Sequence, residues 1–131
     1  YLDMVADLFH AGHINFIRQA RSKGHYVIIG LMSDKDVESY KRLPIWTLAE
    51  RTEAVRHCEL VDEVIPGAPL AATEEFIRNH HIDAVIHGDD FDPIEIRKYY
   101  SVPIDMGIFE TVPYTPGIST SDTIRRIKER G

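Results

Sequence analysis

YLDMVADLFHAGHINFIRQARSKGHYVIIGLMS, residues 1–33, holds the reading on which the fold turns. Residues 1–5 form a short, mostly apolar strand candidate. Ile14, Ile17 and Arg21, with Phe16 and Ala20, then give the three/four spacing of an amphipathic helix. That helix stops at Gly24, and Arg18, Arg21 and Lys23 lie in its last turns, where cations suit the helix dipole. HYVIIGLMS, residues 25–33, is a near-continuous β-branched run of the kind that fills a strand buried on both faces. Strand, helix and buried strand in this order make one crossover unit of a parallel sheet.

The alternation continues outward. Thr47 and Glu50 form a capping box that opens a helix to about Leu60, and VDEVI, residues 61–65, is a strand ending at Pro66 and Gly67. Thr73 opens a helix to about His80, and DAVIHG, residues 83–88, is a fourth strand closing on the acidic loop GDDFDP. A short helix over 94–100, a fifth extended segment over 102–109 and the turn-rich TVPYTPG follow. Ser119 and Asp122 cap a last helix over 120–130. The pattern predicts an α/β fold: a Rossmann-like, doubly wound, parallel five-stranded sheet with helices on both faces and right-handed crossovers.

At 131 residues the chain reads as one domain, 1–131, with 44% hydrophobic and 27% charged residues and no run near the roughly 20 apolar residues of a membrane span. It opens on Tyr1 inside the first strand, as a domain cut from a longer chain would. The formal charge of −6 argues against a general nucleic-acid surface, so any anion must be bound locally. The single cysteine, Cys58, cannot form an internal disulfide and reads as a buried structural thiol, which makes the cytoplasm the default compartment.

In doubly wound sheets ligands sit beyond the carboxyl ends of the strands, at helix N-termini. Three of the most polar stretches fall there: DLFHAGH after the first strand, HGDD after the fourth, and GISTSD before the last helix. His10 in the loop and His13 in the first helical turn can face one anion, with Gly12 letting the backbone approach. Protonated, or as neutral donors, the two imidazoles can stabilise charge on a transferring phosphoryl group. Two rival readings stand beside this one. A zinc site needs about four ligands, and Cys58, His57 and His87 lie at no recognisable spacing; packing or surface histidines are the plainer reading. GxGxxG and GxxxxGK[ST] are both absent, which removes the usual dinucleotide and P-loop signatures.

HAGH, residues 10–13, resembles the HxGH signature of the nucleotidyltransferase superfamily, and GISTSDTIRRI, residues 117–127, resembles the motif that closes the cytidylyltransferases. Between them ERTEAVRHCELVDEVI, PGAPLAATEEFIRNHHIDAVIHGDD and VESYKR resemble further family segments, in order, over nearly the whole chain. The resemblance implies transfer of CMP from CTP to the phosphate or phosphonate of a small acceptor, with release of pyrophosphate and no covalent intermediate. It implies that His10, His13 and Lys41 are catalytic. Nucleotide contacts would come from Asp7, which orients the HxGH loop, and from Phe9, Gly12, His87, Gly88, Asp89, Asp90, Tyr114, Gly117, Ile118, Ser119, Thr120 and Ser121. One of the three hydroxyls would only cap the helix. His87 reads equally as a packed strand-end residue, while His25, His57, His80 and His81 read as ordinary. Arg51 would be structural or phosphate-linked, with a solvated helix charge as the plain alternative. Magnesium would arrive with CTP and favour the nearby carboxylates, with no firm protein metal site. Relatives of this kind are usually homodimers.

Two departures stand out. Tyr114 and Glu59 occupy positions where many relatives carry arginines, so the pyrophosphate side of the site is electrostatically weaker than usual, or is compensated by Lys41, Arg42, Arg125 or a partner chain. Leu70, where choline and ethanolamine enzymes often have an aromatic residue, lowers the expectation of phosphocholine. The favoured acceptors are phosphoethanolamine and 2-hydroxyethylphosphonate, the latter because the opening and the YTPGIST ending resemble cytidylyltransferase domains of phosphonate biosynthesis. Adenylyl transfer and a catalytically weak CTP-binding sensor are the competing readings.

Overall fold

The computed structural model describes residues 1–113 and 119–131. Its elements are β1 (Leu2–Met4), α1 (Ala11–Arg21), β2 (Ile28–Leu31), α2 (Asp34–Glu38), α3 (Leu48–Arg56), β3 (Glu63–Pro66), α4 (Glu74–Asn79), β4 (Val85–Gly88), α5 (Arg97–Asp105), β5 (Phe109–Val112) and α6 (Thr120–Arg130). All strand pairs are parallel: β2 lies between β1 and β3, and β4 pairs with β5. The five strands form a three-stranded and a two-stranded ladder. Tyr1 joins them, its N–H donating to Ala84 O at 2.8 Å and its carbonyl accepting from Ile86 N at 2.9 Å. The spatial order is therefore β3, β2, β1, β4, β5, and the crevice of a doubly wound sheet lies between β1 and β4, where the order reverses.

Strand alternation sorts the core into two faces. Leu2, Ile29, Leu31 and Ile86 pack with Ile17 and Ala20 of α1 and Val55 of α3. Their neighbours Tyr1, Ile28 and Val85 point the other way, against Ile77 and Phe76 of α4 and Tyr100 and Val102 of α5. Helices thus cover both faces, as the near-continuous apolar strands require. Gly30 in the central strand is the close approach that admits Tyr1: a Cβ there would lie 2.0 Å from the tyrosine oxygen.

The main correction concerns residues 102–109. They were expected to extend as a strand, but α5 runs through Pro103 to Asp105, and the last strand is Phe109–Val112, which begins where the expected strand ends and runs into the stretch read as turn-rich. Gly107, at φ +75°, ends the helix: its N–H bonds to Ile104 O and the next, Ile108, to Pro103 O, each at 3.0 Å. The short helix α2 was not anticipated, although Ser33 caps it by accepting from Asp36 N at 3.1 Å. α3 ends at Arg56 rather than near Leu60, which leaves Cys58 in a turn and half-buried rather than fully buried. No helix among the described residues is long and apolar enough to cross a membrane.

Candidate active site

A cavity of about 400 Å³ opens at the carboxyl ends of β1 and β4. Its wall carries Asp3, His10, Gly12, His13, Phe16, Lys41, Arg42, His87, Gly88, Asp90, Pro113, Ser119, Thr120 and Ser121. Residues drawn from both ends of the sequence and its middle therefore converge there, at the N-termini of α1 and α6.

His10 is the N-cap of α1. Its Nδ1 accepts from Gly12 N at 3.0 Å, while His13 Nδ1 accepts from His10 N at 3.1 Å, so the two imidazoles build a reciprocal capping box. A ring nitrogen that accepts from a backbone N–H carries no proton, so in each neutral ring the hydrogen sits on Nε2. The rings lie 3.9 Å apart, centroid to centroid, and Phe9 stacks on His13 at 5.6 Å. Burial pushes the His13 pKa down to about 4, helped by the nearby His10 and Lys41 and opposed by Asp7. Desolvation lowers that of His10 as well. Of the two protonation states left open by the sequence, the geometry selects neutral imidazoles with two outward Nε2–H donors. His87 differs from them: its Nδ1 lies 2.8 Å from Gly88 O, so Nδ1 carries a proton and donates to that carbonyl.

Lys41 is exposed on the wall, and its pKa is lowered by desolvation and then by the adjacent Arg42, with Asp7 acting in the opposite sense. Asp7 itself, 5% exposed, is absent from this wall. Its carboxylate accepts from Ile45 N and Trp46 N, both at 2.9 Å, and its carbonyl accepts from Thr120 Oγ1 at 2.8 Å. It thus fastens the β1–α1 loop to the segment carrying Lys41 and to the start of α6, which orients that loop. Phe9 likewise packs towards the core and not on the wall. Ser119 caps α6 by accepting from Asp122 N at 3.0 Å, Thr120 is committed to Asp7, and the Ser121 hydroxyl is met by Arg42 at 3.2 Å.

Arg51 is 0% exposed, which overturns the solvated-charge alternative. Its guanidinium donates to Trp46 O, Val5 O and Met32 O at 3.1, 2.9 and 2.8 Å and pairs with Asp34 at 2.5 Å. It ties together the ends of β1 and β2 and the Lys41 segment. Asp90 reaches the wall and Asp89 does not. Glu59 is exposed in the turn preceding β3, at the opposite end of the strands from the cavity, so it cannot repel a phosphate bound in the same chain. Arg125 is paired with Asp122 and Glu129 on exposed α6, which leaves Lys41 and Arg42 as the cations on the wall among the described residues. Tyr114, Gly117 and Ile118 lie outside the described residues.

Asp3 escaped the sequence reading. It accepts a short hydrogen bond from the Tyr100 hydroxyl, and burial raises its pKa, opposed by that bond and by His87. A second cavity, of about 280 Å³, shares Asp3, Lys41 and His87 with the first and is walled by Tyr40, Tyr99, Tyr100 and Leu70. Among the described residues no group of three or more His, Cys, Asp or Glu side chains is placed to hold a metal ion.

Residues 4–126 match the sequence profile described as Cytidylyltransferase-like. The chain belongs to this cytidylyltransferase-like family. Its relatives include the ethanolamine-phosphate cytidylyltransferases of Dictyostelium discoideum and Arabidopsis thaliana, 39% and 41% identical over 97% of this chain and 37% and 32% of theirs. Choline-phosphate cytidylyltransferase A of Mus musculus is 39% identical over 97% of this chain and 35% of its own. The chain therefore spans about a third of the length of the curated relatives it matches. Among solved structures, the lipopolysaccharide core biosynthesis protein of Thermoplasma volcanium GSS1 superposes with a TM-score of 0.69 at 19% identity, covering 89% of this chain and 95% of that one, a likeness of fold.

Proposed function

We propose that this family member transfers CMP from CTP to the phosphate of a small amino alcohol, phosphoethanolamine in kind, and releases pyrophosphate. The observation that carries the reading is the convergence of His10, His13, Lys41 and the N-termini of α1 and α6 on one cavity, with the Asp3 cavity opening from it.

In the reaction an acceptor phosphate oxygen attacks the α-phosphorus of CTP. One P–O bond forms as the bond to the β-phosphate bridging oxygen breaks, and the electron pair leaves with pyrophosphate. No proton need move, so catalysis rests on positioning and on charge stabilisation. The Nε2–H groups of His10 and His13 donate to phosphate oxygens without titrating near neutral pH, and the Lys41 ammonium offsets charge between two anions that repel each other. Amides in the first turns of α1 and α6 add fixed donors. A magnesium ion supplies Lewis-acid polarisation when it enters with CTP. Asp90, a carboxylate on the wall, is the residue that would help hold it beside the phosphates.

Asp3 supports the choice of acceptor. A carboxylate whose ionised form is penalised by burial gains most from a cation, and the ammonium of an amino alcohol supplies one beside the rings of Tyr40, Tyr99 and Tyr100. The tyrosine faces suit either kind of ammonium, but only a primary amine has N–H groups to donate to the Asp3 carboxylate, which favours it over choline. 2-Hydroxyethylphosphonate brings a neutral hydroxyl to Asp3 and is the second acceptor for the assay. Pyrophosphate release is measured with magnesium and CTP or ATP against phosphoethanolamine, phosphocholine, glycerol 3-phosphate and 2-hydroxyethylphosphonate. Turnover with CTP and phosphoethanolamine is expected, together with its loss in Asp3→Asn. Preference for ATP, or silence with every acceptor, would refute the proposal.

A further inference from the structure

We infer that Arg42 is a phosphate-binding residue that grips the pyrophosphate end of the nucleotide, the part released in the reaction. The inference rests on the cytidylyltransferase reading above. It also answers the question raised by the missing arginine at Tyr114, since it places a guanidinium on the wall from another part of the chain.

The first support is position. Arg42 lines both the main cavity and a smaller one of about 120 Å³ that it shares with Asp7, His13, Lys41 and Thr120. Its Nη1 donates to Ser121 Oγ at 3.2 Å, which aims the guanidinium at the first turn of α6. One of five N–H groups is engaged in this bond, and the planar fork leaves others for a second acceptor.

The second support is partnership. Arg21, Arg56, Arg78, Arg97 and Arg125 each pair with a carboxylate, and buried Arg51 pairs with Asp34. Arg42, like Arg18 and Arg130, forms no ion pair among the described residues, and of these three it is the one on the cavity wall. A guanidinium with no ion-pair partner, next to Lys41 and over a helix N-terminus, is poised for a multiply charged anion.

The third support is anchorage. The segment bearing Arg42 is held on one side by Lys41 N bonding to Val37 O at 3.0 Å, and on the other by Asp7 gripping Ile45 N and Trp46 N. Because Thr120 bonds to the same Asp7 residue, Arg42 and α6 are fixed to one point. The pair is assembled before an anion arrives, so little ordering remains to be done on binding.

The test compares the wild type with Arg42→Ala and Arg42→Lys by calorimetric titration of CTP, CMP and inorganic pyrophosphate in magnesium buffer. Arg42→Ala should weaken CTP and pyrophosphate about 10- to 100-fold, as expected for lost hydrogen bonds to a charged group, and CMP less than about twofold. Arg42→Lys should recover part of the loss, because it restores charge without the fork. In turnover the KM for CTP should rise while that for the acceptor holds. Thermal midpoints should agree within about 2 °C, since the side chain is exposed. Equal weakening of CTP and CMP, a rise confined to the acceptor KM, or unchanged pyrophosphate binding would each overturn the assignment. A wild type that binds pyrophosphate but prefers ATP to CTP would instead refute the reading beneath it, and the pyrophosphate arm would still judge Arg42.

Discussion

Neutral histidines as phosphate donors have a consequence that acid titration can read. The pKa of His13 falls from an ordinary 6.5 to about 4 on folding, chiefly because the ring is desolvated in the turn it caps. Above pH 6.5 the ring is neutral in both folded and unfolded chains and contributes nothing to pH dependence. As pH falls from 6.5 towards 4, the unfolded chain takes up a proton that the folded chain refuses, so stability drops; below that window both states are protonated and the loss is complete. The whole displacement corresponds to about 3 kcal/mol, of which about 2 kcal/mol accrues by pH 5. The control is His13→Asn, whose Oδ1 stands where Nδ1 does and still accepts from His10 N, so the cap survives while the titration disappears. Urea unfolding of both proteins at pH 7, 6 and 5 should show the wild type losing about 2 kcal/mol more than the variant across that range. The carboxylates and His10 are common to both proteins and cancel in the difference. Parallel curves would mean that His13 is as free to protonate as in the unfolded chain. The cap and its burial would then not hold the ring neutral, and the assignment of a fixed neutral donor would be wrong.

Arg51→Met should cost about 3–5 kcal/mol, because it strips three carbonyls and Asp34 of a buried partner at once, and should lower the thermal midpoint by on the order of 10 °C or more. A loss under about 1 kcal/mol would show the guanidinium to be dispensable. His81→Gly should stabilise the protein by about 0.5–1 kcal/mol in denaturant melts, because His81 ends α4 at φ 53°, a conformation a side chain resists. His81→Ala keeps a Cβ in the same place, and an equal gain from it would remove the backbone explanation.

What the sequence disclosed follows from which forces act locally. The βαβ unit at the start is legible because Ile28 and Ile29 face opposite layers, so both must be apolar, and because Thr47 and Glu50 cap α3 with their own side chains. The α5 segment misleads because VPI looks like strand. Its helix is decided by Tyr100, Val102 and Met106 packing against Tyr1 and Ile28, contacts distant in sequence. Short α2 did carry a signal, Ser33 three residues before Asp36, but five residues show no periodicity. Asp3 and Tyr100 are 97 residues apart, so nothing near either one announces their bond. Arg51 reads as an ordinary helix charge until the free carbonyls ending β1 and β2 surround it.

The arrangement also bears on how a chain of net charge −6 would hold the polyanion proposed for it. Long-range attraction cannot be the means, since the summed field of the molecule opposes a nucleotide triphosphate. Binding would come from groups whose reach is short. Lys41, Arg42, the imidazoles of His10 and His13 and the starts of α1 and α6 supply the positive and donor groups, and Asp3 and Asp90 the carboxylates. Two neutral donors in place of two imidazolium ions lower the positive charge that Lys41 and Arg42 must tolerate beside them, which matters because desolvation, and after it Arg42, already depress the Lys41 pKa. Further fixed cations in the same space would deepen that depression and weaken the ammonium on which transfer depends. Hydrogen-bond donors without net charge, set by caps that fold with the helix, avoid the conflict while still meeting the phosphate oxygens.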